Sequence, residues 1–188
     1  MKMYTRIANQ NSYSYIKRKR KDVKYIVIHF TANKGDTAKN NADYFATGNT
    51  RQVGAHFFVD KKGDIARSIR LNRTAWAVGG ERYGDYKESG GAKYFTKCTN
   101  ENSVSIELCD CNNVEPYSNK QIKSVRKLIK YIQRYCPNAN KIIRHFDVNG
   151  KHCPAPIMDD KIWKKFRKEI LKKLKYKDCI FDKFNIVE

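Results

Sequence analysis

Histidine and proline are scarce in this 188-residue chain, with four of each, and acidic residues are few: 19 Asp+Glu against 39 Lys+Arg leave a formal charge of +20. No stretch approaches the ~20 apolar residues that a helix needs to cross a bilayer, so no membrane partner is expected. The basic start is not followed by an apolar run; a Sec signal is therefore not expected, and synthesis in the cytoplasm is. No Cys-x-x-Cys pair occurs, and Cys109-x-Cys111 is too tight for the usual zinc knuckle. An RNP aromatic segment and zinc-finger spacing are also missing, so charge alone speaks for nucleic acid and no specific nucleic-acid partner is expected. There are no internal repeats.

What is present suffices for a folded domain. A 40% hydrophobic fraction with 12% aromatic residues supports a real core, which excludes a disordered basic tail. The length suits one domain. Such a basic surface attracts polyanions, whether nucleic acid, anionic lipid or the teichoic acids of a Gram-positive wall. The six cysteines read as reduced thiols or metal ligands rather than a disulfide framework.

The organisation follows from local pattern. Residues 1–22 form a polar arm ending in Lys17-Arg18-Lys19-Arg20-Lys21, read as solvated. Residues 23–175 make the domain, and 176–188 a tail. The run Tyr25-Ile26-Val27-Ile28-His29-Phe30 predicts a buried central strand. A helix is predicted from Asp36 or Thr37 to near Phe45, stopped by Gly48. Residues 55–60 and 65–69 flank Lys61-Lys62-Gly63-Asp64 as a hairpin. Residues 77–101 read as a long loop, and 103–109 as another strand.

Ser118 and Gln121 predict a capping box for a helix at 119–135, with Ile122, Val125, Ile129 and Ile132 on one face. Residues 141–145 form a last strand. A final helix opening near Asp159 or Asp160 is predicted to bury Ile162, Trp163, Phe166, Ile170 and Leu174, with Lys164, Lys165, Lys168, Lys172 and Lys175 opposite. Strands interleaved with helices indicate an α/β class: a single domain with a central mixed β-sheet flanked by helices.

The few histidines are informative. His29 and His145 each end a predicted strand, where a sheet hands over to loops. Cys153 follows in His145-Phe146-Asp147-Val148-Asn149-Gly150-Lys151-His152-Cys153. Two imidazoles and a thiolate supply three zinc ligands, and a catalytic zinc keeps its fourth position open. Taken singly, each histidine reads equally as a core residue and Cys153 as an inert thiol. Glu107 is the acid inside the apolar strand Val104-Ser105-Ile106-Glu107-Leu108. It suits the proton shuttle that metal-assisted hydrolysis needs; a paired structural carboxylate is the alternative. Lys151 could face an oxyanion. Trp76, Tyr83, Tyr86 and Tyr94 could line a groove.

The segments YIVIHFTAN, VGAHFFVDKKGDIAR, TAWAVGG, NENSVSIEL and RHFDVNGKHCPAP resemble, in order, the zinc-dependent N-acetylmuramoyl-L-alanine amidases of the type 2 family, which includes peptidoglycan recognition proteins. The likeness covers about residues 23–171 and is greatest to clostridial and phage endolysin catalytic domains. It implies zinc held by His29, His145 and Cys153, Glu107 as general acid/base, and Lys151 stabilising the tetrahedral intermediate. Trp76, His56 and Asp147 would form the substrate side, His56 as a supporting or packing residue rather than a fourth ligand. The implied reaction cuts the amide between N-acetylmuramic acid and L-alanine of peptidoglycan, with anionic wall polymers as further partners and holin-type release as the route to the wall. Two positions depart from the pattern: Ala55 replaces a tyrosine and Ala77 a histidine found in some members. Relatives lacking a metal ligand bind peptidoglycan without cutting it, which makes a non-catalytic binding protein the alternative.

Overall fold

The computed structural model describes residues 3–111 and 117–173. In chain order its strands and α-helices are β1 (Met3–Thr5), β2 (Tyr13–Ser14), β3 (Tyr25–Phe30), α1 (Ala38–Thr47), β4 (Phe57–Val59), β5 (Ile65–Arg67), β6 (Thr74–Ala75), α2 (Tyr86–Ser89), β7 (Ser103–Leu108), α3 (Asn119–Tyr135), β8 (Lys141–Arg144), α4 (His145–Asn149) and α5 (Asp160–Ile170). Six strands form one sheet in the order β1-β5-β4-β7-β3-β8, with β4 and β5 antiparallel and the other neighbours parallel. β2 and β6 pair as a separate ribbon. This is the mixed, helix-flanked sheet that the sequence predicts.

Parallel strands buried on both faces explain the unbroken apolar run of β3. Ile26, Ile28, Val104 and Ile106 point to one side, where Val125, Leu128, Ile129 and Ile132 of α3 and Trp163, Phe166 and Ile170 of α5 cover them. Tyr25 and Val27 point to the other side, against Val78, Cys98, Ile143 and Val148. Thr37 caps α1 by accepting from Asn40 N–H, and Gly48 ends it, as expected from the sequence.

Four expectations are corrected. Residues 3–22 are not a solvated arm. β1 extends the sheet beside β5, and the Arg18 guanidinium turns inward to donate to the carbonyls of Leu71, Asn100, Glu101 and Ser103. The capping box is half-made. Ser118 Oγ accepts from Gln121 N–H, but the Gln121 side chain donates to the carbonyls of Val59 and Cys109, tying β4 to the chain leaving β7. Those two buried carbonyls hold the Gln121 side chain in the interior, where an unpaired polar group is costly. His145 does not end β8; it opens α4. Ile162 is 50% exposed, not in the core, because the buried stripe of α5 runs through Trp163, Phe166 and Ile170. Residues 77–101 do form a long connection, interrupted by α2 alone. Leu174, Lys175, Cys179 and the 176–188 tail lie outside the described residues.

The corrected stripe is checked by stability. Trp163→Ala is expected to cost about 3–5 kcal/mol in denaturant unfolding, as large-to-small core changes do. Ile162→Lys, at an exposed position, is expected to stay within about 0.5 kcal/mol. A large loss for Ile162→Lys would restore Ile162 to the core.

Candidate metal centre

The cleft is built at the C-terminal ends of parallel strands, where side chains leaving the sheet meet loops. In the register of β3 with β7, His29 stands opposite Glu107. β8 pairs with the other edge of β3, Ile143 opposite Val27 and Arg144 opposite Ile28. One residue further, His145 comes onto the His29 side, and the two imidazole centroids are 4.6 Å apart. The turn into α4 is held by a buried charge pair. Arg144 N–H donates to Asp147 Oδ2 at 2.8 Å, and Arg144 Nη2 lies 2.8 Å from both Asp147 Oδ1 and Asp160 Oδ1. α4 ends at Gly150, at φ 85°, where a Cβ would come within 2.5 Å of Tyr86 Cβ. The chain then doubles back so that Cys153 O accepts from Phe146 N–H, bringing the thiol under His29.

The ligand atoms of His29, His145 and Cys153 all lie within 4.8 Å of one another, and all three residues are buried. Cys153 Sγ is 3.8 Å and Glu107 Oε1 3.9 Å from His29 Nδ1. A tetrahedral zinc with bonds of about 2.0 Å to nitrogen and 2.3 Å to sulfur separates its ligand atoms by roughly 3.5 Å, so this spacing fits such an ion with little closure. The polar atoms here are also short of partners. Among the described residues His29 Nε2, both His145 nitrogens and Glu107 Oε2 are buried without a hydrogen bond. Buried polar atoms are normally satisfied, and a cation would engage one nitrogen of each imidazole.

The electrostatics suit ligation. Burial, then the nearby His145, drives His29 well below the usual histidine range, and burial with the Lys151 charge lowers His145 to about 3. Both imidazoles are therefore neutral, the form that binds metals. Burial, with Glu107 adding to it, pushes the Cys153 thiol up, so a metal must displace its proton. Glu107 keeps 21% of its side-chain surface on the cleft, yet burial raises it to about 7 against the opposing pull of Lys151.

His29, Glu107, His145, Lys151, Cys153 and Trp76 line one cleft of about 570 Å³. An adjoining one of about 360 Å³ shares Trp76, His145 and Lys151 and adds Tyr83. Trp76 is held at the rim by its backbone, its carbonyl accepting from Gly54 N–H and its amide donating to Ser12 O. Tyr86 and Tyr94 line neither cleft: Arg82 covers the Tyr86 ring and Tyr94 packs edge-on to Tyr25. Asp36, Asn41, Tyr44 and Arg51 line the larger cleft and were not singled out from sequence. Asn40 and Asn41, adjacent poor helix formers inside α1, were the available signal.

Two residues grouped with the substrate side line neither cleft, and His56 is packed, as its reading as a supporting residue allowed. His56 is 1% exposed. Its Nδ1 accepts from Ser105 N–H, and its Nε2 lies 3.1 Å from Arg73 O and 2.8 Å from Arg18 Nη2. Burial and the Arg18 charge hold it well below the ordinary histidine range. Asp147 is 5% exposed and is consumed by Arg144. Both serve the framework that shapes the site.

Asp147→Ala, which strands a buried guanidinium, is expected to cost about 3–5 kcal/mol. His56→Ala, which leaves Ser105 N–H unpaired, should cost about 1–3 kcal/mol. Unfolding curves read both losses. Unchanged stability with a raised KM would return either residue to the substrate side.

The comparisons with known proteins agree with this construction. A family model described as N-acetylmuramoyl-L-alanine amidase matches residues 19–156. The chain is similar to N-acetylmuramoyl-L-alanine amidase CwlL of Bacillus licheniformis, 29% identical over 175 residues, covering 90% of this chain and 47% of that protein. It is also similar to N-acetylmuramoyl-L-alanine amidase BlyA of Bacillus subtilis, 28% identical over 152 residues, covering 78% of this chain and 40% of that protein. The chain thus spans less than half the length of these two relatives. Among solved structures it resembles a mutant endolysin from Bacillus subtilis, with a TM-score of 0.67 and 26% identity over 90% of this chain and 99% of that one. The family match covers most of the domain, the His29, His145 and Cys153 cluster included, and the chain belongs to the N-acetylmuramoyl-L-alanine amidase family.

Proposed function

We propose that this protein is a zinc-dependent peptidoglycan hydrolase that cleaves the amide between the lactyl group of N-acetylmuramic acid and L-alanine of the stem peptide, weakening the bacterial cell wall. The observation that carries the reading is the buried His29–His145–Cys153 set with the Glu107 carboxyl beside it in one open cleft. Two neutral imidazoles and one thiolate match the donor preference of zinc. Bound there, zinc would supply Lewis acidity to the scissile carbonyl and make a nearby water more acidic.

The chain's own residues take the remaining roles. Glu107 accepts a proton from the attacking water and returns it to the leaving nitrogen as the C–N bond breaks, so that the stem peptide departs with a neutral amine. Its enclosed carboxyl at the cleft floor suits a group that must both take and give a proton. The Lys151 ammonium, on the wall shared by both clefts, faces the oxygen that gains charge as water adds. Trp76 and Tyr83 offer flat apolar faces with polar edges to sugar and peptide.

Mass spectrometry of purified Gram-positive peptidoglycan after digestion is the direct test. Stem peptides with a new L-alanine amino terminus are expected from the zinc-loaded protein and not from His29→Ala. Cleavage at any other bond, or none, would sink the amidase reading. Glu107→Gln is expected to retain zinc and lose about 10²-fold or more in kcat. Lys151→Ala should lose roughly 10²-fold, also with zinc retained. Cys153→Ala should lose the metal itself, read by elemental analysis of the dialysed protein.

A further inference from the structure

The side of the sheet away from the cleft carries an arrangement that hydrolysis does not use. α3 has no acidic residue, and its burial follows the helical period: Gln121, Val125, Leu128, Ile129 and Ile132 face the core. Lys120, Lys127, Lys130 and Arg134 project the opposite way. At 1.5 Å per residue this stripe runs about 21 Å. α5 repeats the pattern beside it, with Trp163, Phe166 and Ile170 inward and Lys161, Lys164, Lys165 and Lys168 exposed. The helices are joined by Arg126, whose Nε donates to Glu169 O at 2.8 Å.

The two acids of α5 do not offset these charges. Asp160 is engaged by Arg144, and Glu169 lies 2.6 Å from Lys172 Nζ and 3.8 Å from Arg126 Nη2. The N-terminal basic run continues the surface at one end: the Arg20 guanidinium sits 5.7 Å from the Tyr135 ring centroid, and Asn138 donates to Lys21 O.

We propose that the α3–α5 face is a docking surface for a phosphodiester polymer of the bacterial wall, holding the domain there while the cleft on the opposite side of the sheet stays open. The choice of a wall polymer rests on the amidase reading; the binding itself does not. The chemistry of the face favours this occupant. Lysine dominates, and lysines meet phosphates as point charges without demanding fixed geometry. No aromatic ring is exposed on α3 or α5 among the described residues, so the stacking platform that single-stranded nucleic acid uses is missing. Among the described residues, Ile162 and Leu171 are the only large apolar side chains exposed near α5, too little for the continuous apolar face of an interfacial membrane helix.

Two triple variants of equal net charge test the surface: K130Q/K165Q/K168Q on the face, and K62Q/K87Q/K97Q on exposed positions elsewhere. Co-sedimentation with purified walls is measured across a salt series, using native walls and walls stripped of phosphodiester polymer. The face triple is expected to bind native walls about ten-fold or more weakly than wild type. Its log–log salt slope should be shallower by about 2, since each lysine that neutralises a phosphate of a single strand contributes roughly 0.7. The control triple should change less than about threefold, and stripping should bring wild type down to the face triple. Equal losses in both triples, or retention indifferent to stripping, would overturn the docking face. Tighter binding to single-stranded DNA or to phosphatidylglycerol vesicles than to isolated wall polymer would overturn the occupant. Cleavage of a soluble muramoyl-peptide is run in parallel and should be equal in all three proteins. If wild type failed to cleave it while the sedimentation pattern held, the amidase reading would fall and the cationic docking face would stand.

Discussion

The parallel, in-register pairing of β3 with β7 on one side and β8 on the other is the constraint from which the rest of the structure follows. It sets His29 opposite Glu107 and brings His145 to the same side of the sheet. Side chains alternate across a strand, so a slip of one residue in either pairing would send a ligand or the carboxyl into the apolar layer under α3. Register is held by that layer: Ile26, Ile28, Val104 and Ile106 are wholly buried and have no alternative surface to face. Hydrophobic packing on one side of the sheet therefore positions the polar chemistry on the other.

The candidate metal site itself carries a local cost. Two imidazoles, a thiol and a carboxyl are withdrawn from water with several polar atoms lacking hydrogen bonds, an arrangement that packing elsewhere must offset. The buried Arg144–Asp147 pair belongs to that support. It fixes the turn where β8 becomes α4, and so the direction in which His145 leaves the sheet. Arg18 acts comparably from the N-terminal segment. Its guanidinium gathers three carbonyls at the end of the long loop and that of Leu71 before it, and touches His56 behind the site. Burial lowers its pKa only to about 10, so it stays charged at neutral pH and its hydrogen bonds keep the strength of charged ones.

The sheet thus separates two kinds of interaction. One side carries the cleft, with a few polar groups placed at short range. The other is lysine-studded, its charges solvated and individually weak but additive over a long polymer. Short-range chemistry needs fixed geometry, whereas long-range attraction tolerates motion, and a strand-and-helix layer between them lets each be met without disturbing the other.

Period and residue type alone determined the α/β class, the span of α1, the hairpin of β4 and β5, the inner strands β3 and β7, and the scarce ligand-type residues at strand ends. These are local properties, set by side-chain alternation, capping and turn chemistry within a few residues. Only tertiary structure decided the rest. That His145 opens a helix depends on Arg144 finding Asp147 in the interior and Asp160 at its edge. That Gln121 abandons its capping box depends on two carbonyls distant in sequence. Ile162 sits outside the core because α5 is rotated to place Trp163 on Arg144 and Phe166 on Tyr117. The family resemblance grouped His56 and Asp147 with the site, and Asp147 also stands two residues from His145 in the chain, yet their neighbours in space are Arg18 and Arg144. Adjacency along a chain reports what a residue is next to, and partners across the fold, which no local pattern encodes, decide what it does.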